Sequence, residues 1–291
     1  MDREIEACPE IWKLVHHGVS KKLKQQHCGV RSLLMPQPRL FRRITGGRKS
    51  LLMSQPWMAF IYLPDDTESC RCGGSLISPR FVLTAAHCNV LCARKNDLRV
   101  RLGELDLNSD VDCDGDSSVC APPAEEFGIK EWIVHEYFDH SSGWNDIALI
   151  RLNRPALFKE HIQPICLPLS DELLGYTSTI GNAYWAVGWG SDREGYFANS
   201  TMQVSINTKE CLGGRDESFL CADGNCVDTC PGDSGGPLTQ SVEYLGSLRF
   251  VQFGVVSLGH QDCGAGLGAY YMDVPTYVPW ILNKLAGYTK L

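Results

Sequence analysis

The sequence predicts an all-β protein, a sandwich or barrel of many short strands followed by one C-terminal helix. Three observations carry that expectation. From Ile44 onward, short apolar runs recur at close spacing: WMAFIYL (57–63), FVLTAA (81–86), LRVRLGE (98–104), IALIRL (147–152), AYWAVGWG (183–190) and FVQFGVVSLG (250–259). They are rich in β-branched and aromatic residues and are bounded by Gly, Pro, Asn and Asp, as strands are. Helical spacing is convincing only in PTYVPWILNKLAG (275–287), where Val278, Ile281, Leu282 and Leu285 share one face and Gly287 is a stop.

The elements follow in order. Residues 1–43 are basic and patchy, with SKKLKQQ (20–26), RLFRR (39–43), Pro36 and Pro38. They read as a pro-segment or linker, with lysines on a solvated face. The change in texture at Ile44 divides the chain into 1–43 and a domain over 44–291. Within that domain, DVDCDGDSSVCAPPAEE (110–126) is acidic, lacks large apolar residues and is bracketed by two cysteines, so it reads as a long surface loop. No internal repeat is visible. The 28 glycines and 15 prolines are dispersed, without a linker-like run.

Composition narrows the function classes. A net charge of -7 argues against nucleic acid as a partner. Fourteen irregularly spaced cysteines suggest disulfides and an oxidising, extracellular compartment. Cys70-Arg-Cys72 and Cys88-x3-Cys92 do not recur with histidines at zinc-module spacing. MDREIEACPEIWKLVHH lacks the apolar core of a signal peptide, and no run approaches a membrane span. The expectation is a secreted protein whose leader is not in this chain, with no membrane partner.

The chemistry centres on CPGDSGGPL (230–238). Ser234 sits among Gly232, Gly235 and Gly236, which allow a tight loop and close backbone approach. Amides turned into one concavity stabilise a developing oxyanion. A serine hydroxyl needs a base. Of eight histidines, His87 stands apart in LTAAHC, at the end of an apolar run and beside Cys88. A base needs an orienting carboxylate, and Asp146 opens the apolar run in WNDIALIRL. The order His, Asp, Ser is one of the known triad orders.

LTAAHC, NDIALIRL and GDSGGPL together resemble the trypsin-like (chymotrypsin-fold) serine proteases, from about Ile44 to the terminal helix. The resemblance implies two packed six-stranded antiparallel β-barrels with a C-terminal helix. It casts His87 as general base, Asp146 as its orienting partner and Ser234 as nucleophile. The amides of Gly232 and Ser234 form the oxyanion hole. Cleavage between Arg43 and Ile44, in RRITGG, frees an amino group that pairs with Asp233 and orders the oxyanion loop. Asp228 becomes the floor of a primary pocket selecting Arg or Lys, with Ser257, Gly259 and Ala269 in its walls. Two departures weaken the pocket. Leu258 replaces a usual Trp, and Ala269 replaces a usual Gly unless the gap moves that role to Gly268.

The same resemblance pairs Cys72 with Cys88, Cys211 with Cys221, Cys230 with Cys263, Cys28 with Cys166, and Cys113 with Cys120. Cys8, Cys70, Cys92 and Cys226 stay unassigned, with Cys70–Cys92 as one option. The loop GELDLNSDVDC resembles the family's calcium loop, with carboxylates from Glu104 and Asp112 and backbone oxygens from Asp106 and Ser109, as hard-oxygen sites require. Catalysis needs no cofactor, and one structural Ca²⁺ is the expectation. Asn199-Ser200-Thr201 is a glycosylation sequon.

More finely, the 112–136 stretch and HIQPICLPLSDEL resemble the arthropod clip-domain proteases, with ACPE (7–10) as a clip remnant. That implies an innate immune cascade, such as Toll signalling or melanisation. The partners are an upstream activating protease, a protein substrate (a downstream zymogen or cytokine-like precursor) and a serpin-type inhibitor. The competing reading is a catalytically weak homologue acting as a binding cofactor; its usual mark, a broken triad, is missing here.

Overall fold

The computed structural model describes residues 9–31, 47–66, 70–91, 97–115, 118–175, 181–192, 194–211, 217–223, 229–259 and 268–288, with side chains of 9–16 and 223 left aside. Two closed antiparallel barrels of six strands each make up the body, as the resemblance implied. The first is built from β2 (Met58–Tyr62), β3 (Arg71–Ser78), β4 (Phe81–Thr84), β5 (Arg99–Leu102), β6 (Glu125–Val134) and β7 (Ala148–Leu152), ordered β2-β3-β4-β7-β6-β5 and closed by β5 on β2. Its register pairs Phe60 with Gly73 and Leu83 with Leu149. Strands β2 and β4 are buried along their whole length, which is why they read as continuous apolar runs rather than alternating ones. The acidic loop ends earlier than the composition suggests, because Glu125 and Glu126 already pair with Leu102 and Arg101 in β6.

The second barrel contains β8 (Ala183–Gly188), β9 (Met202–Lys209), β10 (Phe219–Asp223), β11 (Pro237–Tyr244), β12 (Ser247–Leu258) and β13 (Ala269–Asp273). Their order is β9-β10-β13-β12-β11-β8, and β8 closes on β9; the two-residue β1 (Arg48–Lys49) adds to β9. Strand β9 alternates, with Ser205 and Asn207 outward between buried Val204, Ile206 and Thr208. Two short helices, α2 (Cys88–Leu91) and α3 (Asp171–Leu174), decorate the connections.

The barrels meet along a polar seam inside an apolar core. Ser75 Oγ donates to Gln252 Oε1 at 2.5 Å, and the Gly73 amide donates to the Ser234 carbonyl at 2.7 Å. A Cβ on Gly73 would lie 3.0 Å from Gly236 Cα, so this crossing needs a residue without a side chain. Backbones from both barrels therefore touch where the candidate nucleophile loop lies.

The C-terminal helix α4 (Val274–Ala286) is capped by Asp273, whose side chain accepts from the Thr276 amide, and ends at Gly287. Val278, Ile281, Leu282 and Leu285 are all buried. A second long helix was not expected. Helix α1 (Pro9–Gln25) lies in the segment read as a linker and packs on α4, burying Val19 and Leu23 in the same core. The intervening lysines hid its period: Val19 and Leu23 are one helical turn apart, and Lys21, Lys22 and Lys24 take the other positions. Gln26 then donates to the Ile77 carbonyl at 2.6 Å, and Cys28 bonds to Cys166. Leu23→Ala is expected to cost about 2–3 kcal/mol by opening this contact, lowering Tm by roughly 5–10 °C in a thermal melt.

Candidate active site

His87 follows β4 and Asp146 precedes β7, which are neighbours in the first barrel through pairs such as Thr84 with Ala148. That pairing brings the two residues together. The His87 amide donates to Asp146 Oδ1 at 2.8 Å, and His87 Nδ1 lies 2.6 Å from Oδ2. Asp146 is 1 % exposed. A buried carboxylate is costly unless its lone pairs are used, and a third donor, Ser257 Oγ, reaches Oδ2 at 2.5 Å. Ser257 was expected only in the substrate pocket, so its bond to Asp146 is new. Nothing local signals it, since the two lie 111 positions apart.

The loop carrying Ser234 comes from the second barrel. It is folded by the Asp233 amide on Cys230 O (3.0 Å) and the Gly236 amide on Asp233 O (2.9 Å). Gly232 and Gly235 have φ of +94° and +79°, a region that side chains disfavour. Gly235 also sits against Thr84 and Ala85, where a Cβ would meet Thr84 Oγ1 at 2.2 Å. The Ser234 carbonyl lies 3.7 Å from Cys88 Sγ. The segment that leads from β4 to His87 and Cys88 is thus in contact with the loop bearing Ser234. Among the described residues, no group accepts from the Gly232 or Ser234 amides.

Asp233 is 2 % exposed and points away from solvent. Its Oδ1 accepts from the Gly190 amide at 2.8 Å, and its Oδ2 from the Cys230 amide at 3.0 Å. Two glycines that sequence reading passed over make room for it. A Cβ on Gly188 would fall 2.2 Å from Oδ1, and one on Gly190 2.3 Å from Oδ2. The GWG in AYWAVGWG was the available signal. Arg43, Ile44 and Asp228 lie outside the described residues, as do Cys8, Cys92, Cys226 and Cys263.

On the pocket side, Thr229 Oγ1 lies 3.2 Å from the Tyr271 hydroxyl, and Ala269 is buried in β13 opposite Ala222. Gly259 is exposed, and a Cβ there would meet the Thr229 carbonyl at 3.5 Å. Gly268 has φ of +80°. Leu258 packs onto Gly143, where a Cβ would come within 2.3 Å of its Cδ1.

Disulfides join Cys28–Cys166, Cys72–Cys88, Cys113–Cys120 and Cys211–Cys221; Cys70 and Cys230 are also disulfide-bonded. Cys72, His87 and Cys88 form a tight cluster, but both sulfurs are spent in a disulfide and offer no metal thiolate. In the loop GELDLNSDVDC (103–113), Glu104 and Asp112 are buried. Burial raises both carboxyl groups above their usual range; Asp112 pushes Glu104 further and Arg101 pulls it back, while the amides of Leu105 and Asp106 temper Asp112. Burial also pushes Asp106 up, but hydrogen bonds from Ser200 and Lys49 outweigh it and hold the carboxyl low. That side chain is turned to those two partners, while its carbonyl accepts from the Ser109 amide at 2.9 Å. Asn199 is exposed, whereas Thr201 of its sequon is buried, with its hydroxyl 3.1 Å from Leu105 O.

The trypsin family model matches residues 44–281. This chain belongs to the trypsin family. As a trypsin-family chain it is 38% identical to "Serine protease grass" of Drosophila melanogaster, over 85% of this chain and 69% of that one. It is 33% identical to "Spaetzle-processing enzyme" of the same organism, over 84% and 66%. A crystal structure of the Drosophila Grass clip serine protease of the Toll pathway superposes with a TM-score of 0.79 at 35% identity, covering 94% of this chain and 78% of that one. The relatives of this trypsin-family chain are therefore insect clip-domain serine proteases. No helix among its described residues is long and apolar enough to cross a membrane.

Proposed function

We propose that this chain is a secreted serine endopeptidase zymogen, cut between Arg43 and Ile44, that cleaves after Arg or Lys in an extracellular innate immune cascade. The observation that carries the reading is the buried Asp146 carboxylate, held by Ser257 and by two donors of the half-buried His87 beside the Ser234 loop. His87 takes the Ser234 proton as Oγ attacks the scissile carbonyl. Asp146 holds the imidazole in the tautomer with Nδ1–H and stabilises the imidazolium. The amides of Gly232 and Ser234 receive the oxyanion, each donor being worth roughly 3–4 kcal/mol of transition-state stabilisation. His87 returns the proton to the leaving amine, and water then repeats the sequence on the acyl-enzyme. No cofactor enters these steps.

Residues 1–43 form the pro-segment, retained after the cut by Cys28–Cys166 and by α1 on α4. The freed Ile44 amino group pairs with Asp233. Asp228 selects a cationic side chain, and Ala269 narrows the pocket. The substrate is another protein, either a zymogen or a cytokine-like precursor; of the relatives, one is named for processing Spaetzle and another for the Toll pathway. An upstream Arg-directed protease makes the cut, and a serpin-type inhibitor closes the cycle.

The test is a panel of Arg, Lys and Phe peptide amides with a serine-reactive phosphonate label. The cut wild type should prefer Arg or Lys over Phe by more than about 100-fold and carry the label on Ser234. Labelling absent and all amides untouched would favour the non-catalytic homologue.

The donors of the acidic loop fit a hard cation in kind. A Ca²⁺ ion would be held by the Glu104 and Asp112 carboxylates with the Asp106 and Ser109 carbonyls, and it would supply charge neutralisation and loop rigidity. Both carboxyl groups are raised. Without the ion, their contribution to stability is therefore largest at low pH and is lost as pH rises through their folded values. Millimolar Ca²⁺ should raise Tm at pH 7 by roughly 5 °C. That gain should fade as the pH falls through the raised values and vanish in Glu104→Gln. A melt insensitive to Ca²⁺ at pH 7 would leave only an acidic loop.

A further inference from the structure

We propose that Tyr277 is a positioning residue for the reaction, holding Asn145 so that the next residue, Asp146, presents its carboxylate to His87. This rests on the reading of His87, Asp146 and Ser234 as a triad. Asn145 has φ of +55°, one of three non-glycine residues with positive φ among the described residues. Asparagine tolerates that region better than most side chains, but still at a cost. Three bonds hold it there. The Tyr277 hydroxyl donates to Asn145 Oδ1 at 3.1 Å, Asn145 Nδ2 donates to the Tyr137 carbonyl at 2.9 Å, and the Ile147 amide donates to the Asn145 carbonyl at 2.8 Å. The first comes from 132 positions away.

Tyr277 is well placed to be a fixed point. It is 4 % exposed and lies in the first half of α4, close to the Asp273 cap. Its ring meets His135 edge-on at 5.5 Å. Helix α4 is fastened to the core by its apolar face and covered by α1. The segment it grips is short and tightly turned: the Asp139 amide donates to the Trp144 carbonyl at 3.0 Å, and the Gly143 amide to the Asp139 carbonyl at 2.8 Å. The Asp146 carboxylate already meets three donors that must converge within a few tenths of an ångström. A rotation at Asn145 swings that carboxylate directly. The hydroxyl of Tyr277 thus reaches the reacting atoms through two residues, Asn145 and Asp146, without touching the substrate.

The clean variant is Tyr277→Phe, which keeps the ring packing and removes one oxygen. With activated enzyme, kcat should fall about five- to tenfold, the size of one lost hydrogen bond, while KM and Tm stay near wild type. Asn145→Gly keeps the left-handed torsion accessible and removes the same bond from the other side, together with the bond from Nδ2 to the Tyr137 carbonyl. The two changes should be non-additive, the double variant being no worse than the poorer single. A second readout does not need hydrolysis: the low-field proton resonance of His87 Nδ1–H in its bond to Asp146. In Tyr277→Phe it should broaden or move upfield. An unchanged resonance with unchanged kcat would overturn the proposal. So would a fall in kcat and Tm together with the resonance intact, which marks a structural residue. If the cut wild type hydrolyses nothing, the protease reading fails on its own, and the resonance still decides whether Tyr277 positions Asp146.

Discussion

Asp146→Asn should lower kcat of the cut enzyme by about 10⁴-fold while leaving the fold intact. The amide can occupy the same space, its oxygen at the Oδ1 position still accepting from the His87 amide and its NH₂ at the Oδ2 position donating to the Ser257 hydroxyl oxygen. Its NH₂ cannot accept from Nδ1–H, so the imidazole is driven to the other tautomer, with Nε2 carrying the proton. Nε2 then has no lone pair for the Ser234 proton. The imidazolium formed in the attack also loses the charge that sits 2.6 Å away in the wild type. KM should change little, because no substrate contact is removed. Steady-state kinetics on an Arg amide, with a thermal melt as the control for folding, checks both halves of the expectation.

The second large effect is expected at a residue 43 positions from Asp233 in the chain, one that supports the nucleophile loop from beneath. Gly190→Ala places a Cβ 2.3 Å from Asp233 Oδ2 and 2.4 Å from its Cγ. Neither can retreat easily, because the carboxylate is also held by the Cys230 amide and stands over Gly188, where a Cβ would find it at 2.2 Å. The strain must pass into the 230–236 loop and move the Gly232 and Ser234 amides. Over-packing of this kind costs typically 1–3 kcal/mol of stability. Misplacing the oxyanion donors should cost more in rate, about 100-fold or greater in kcat/KM. Gly175→Ala is the control, since nothing lies within 4 Å of its Cβ position. That variant should match wild type in both melt and kinetics.

These two expectations show where sequence reading reached and where it stopped. The strand from Met58 to Tyr62 was visible because it is buried on every side and reads as one apolar run. His87, Asp146 and Ser234 stood out as candidates because each sits in a short motif whose residue types the chemistry demands, and the structure pairs the first two. Helix α1 was not. Only Val19 and Leu23 of its described side chains are buried, and the lysines between them gave the stretch the texture of a linker. The supports of the site were hidden for a different reason. Gly190 touches Asp233 across 43 positions, Ser257 reaches Asp146 across 111, and Tyr277 reaches Asn145 across 132. Contacts of that kind arise only once both barrels and α4 have packed. No local pattern encodes them, although the glycines of GWG marked a close approach without naming its partner. The disulfides came by resemblance rather than spacing, since fourteen cysteines admit many pairings.

The measurement that tests the central claim most directly is controlled cleavage of the whole chain by a trace of Arg-directed protease. The new amino terminus is sequenced and Arg-amide hydrolysis is followed, with Ser234→Ala as the blank. The account predicts a terminus at Ile44, a light chain that stays attached until Cys28–Cys166 is reduced, and hydrolysis that appears with the cut and is absent from the blank. A correct cut followed by no Ser234-dependent hydrolysis would contradict it, and would make this trypsin-family chain a binding protein built on a protease fold.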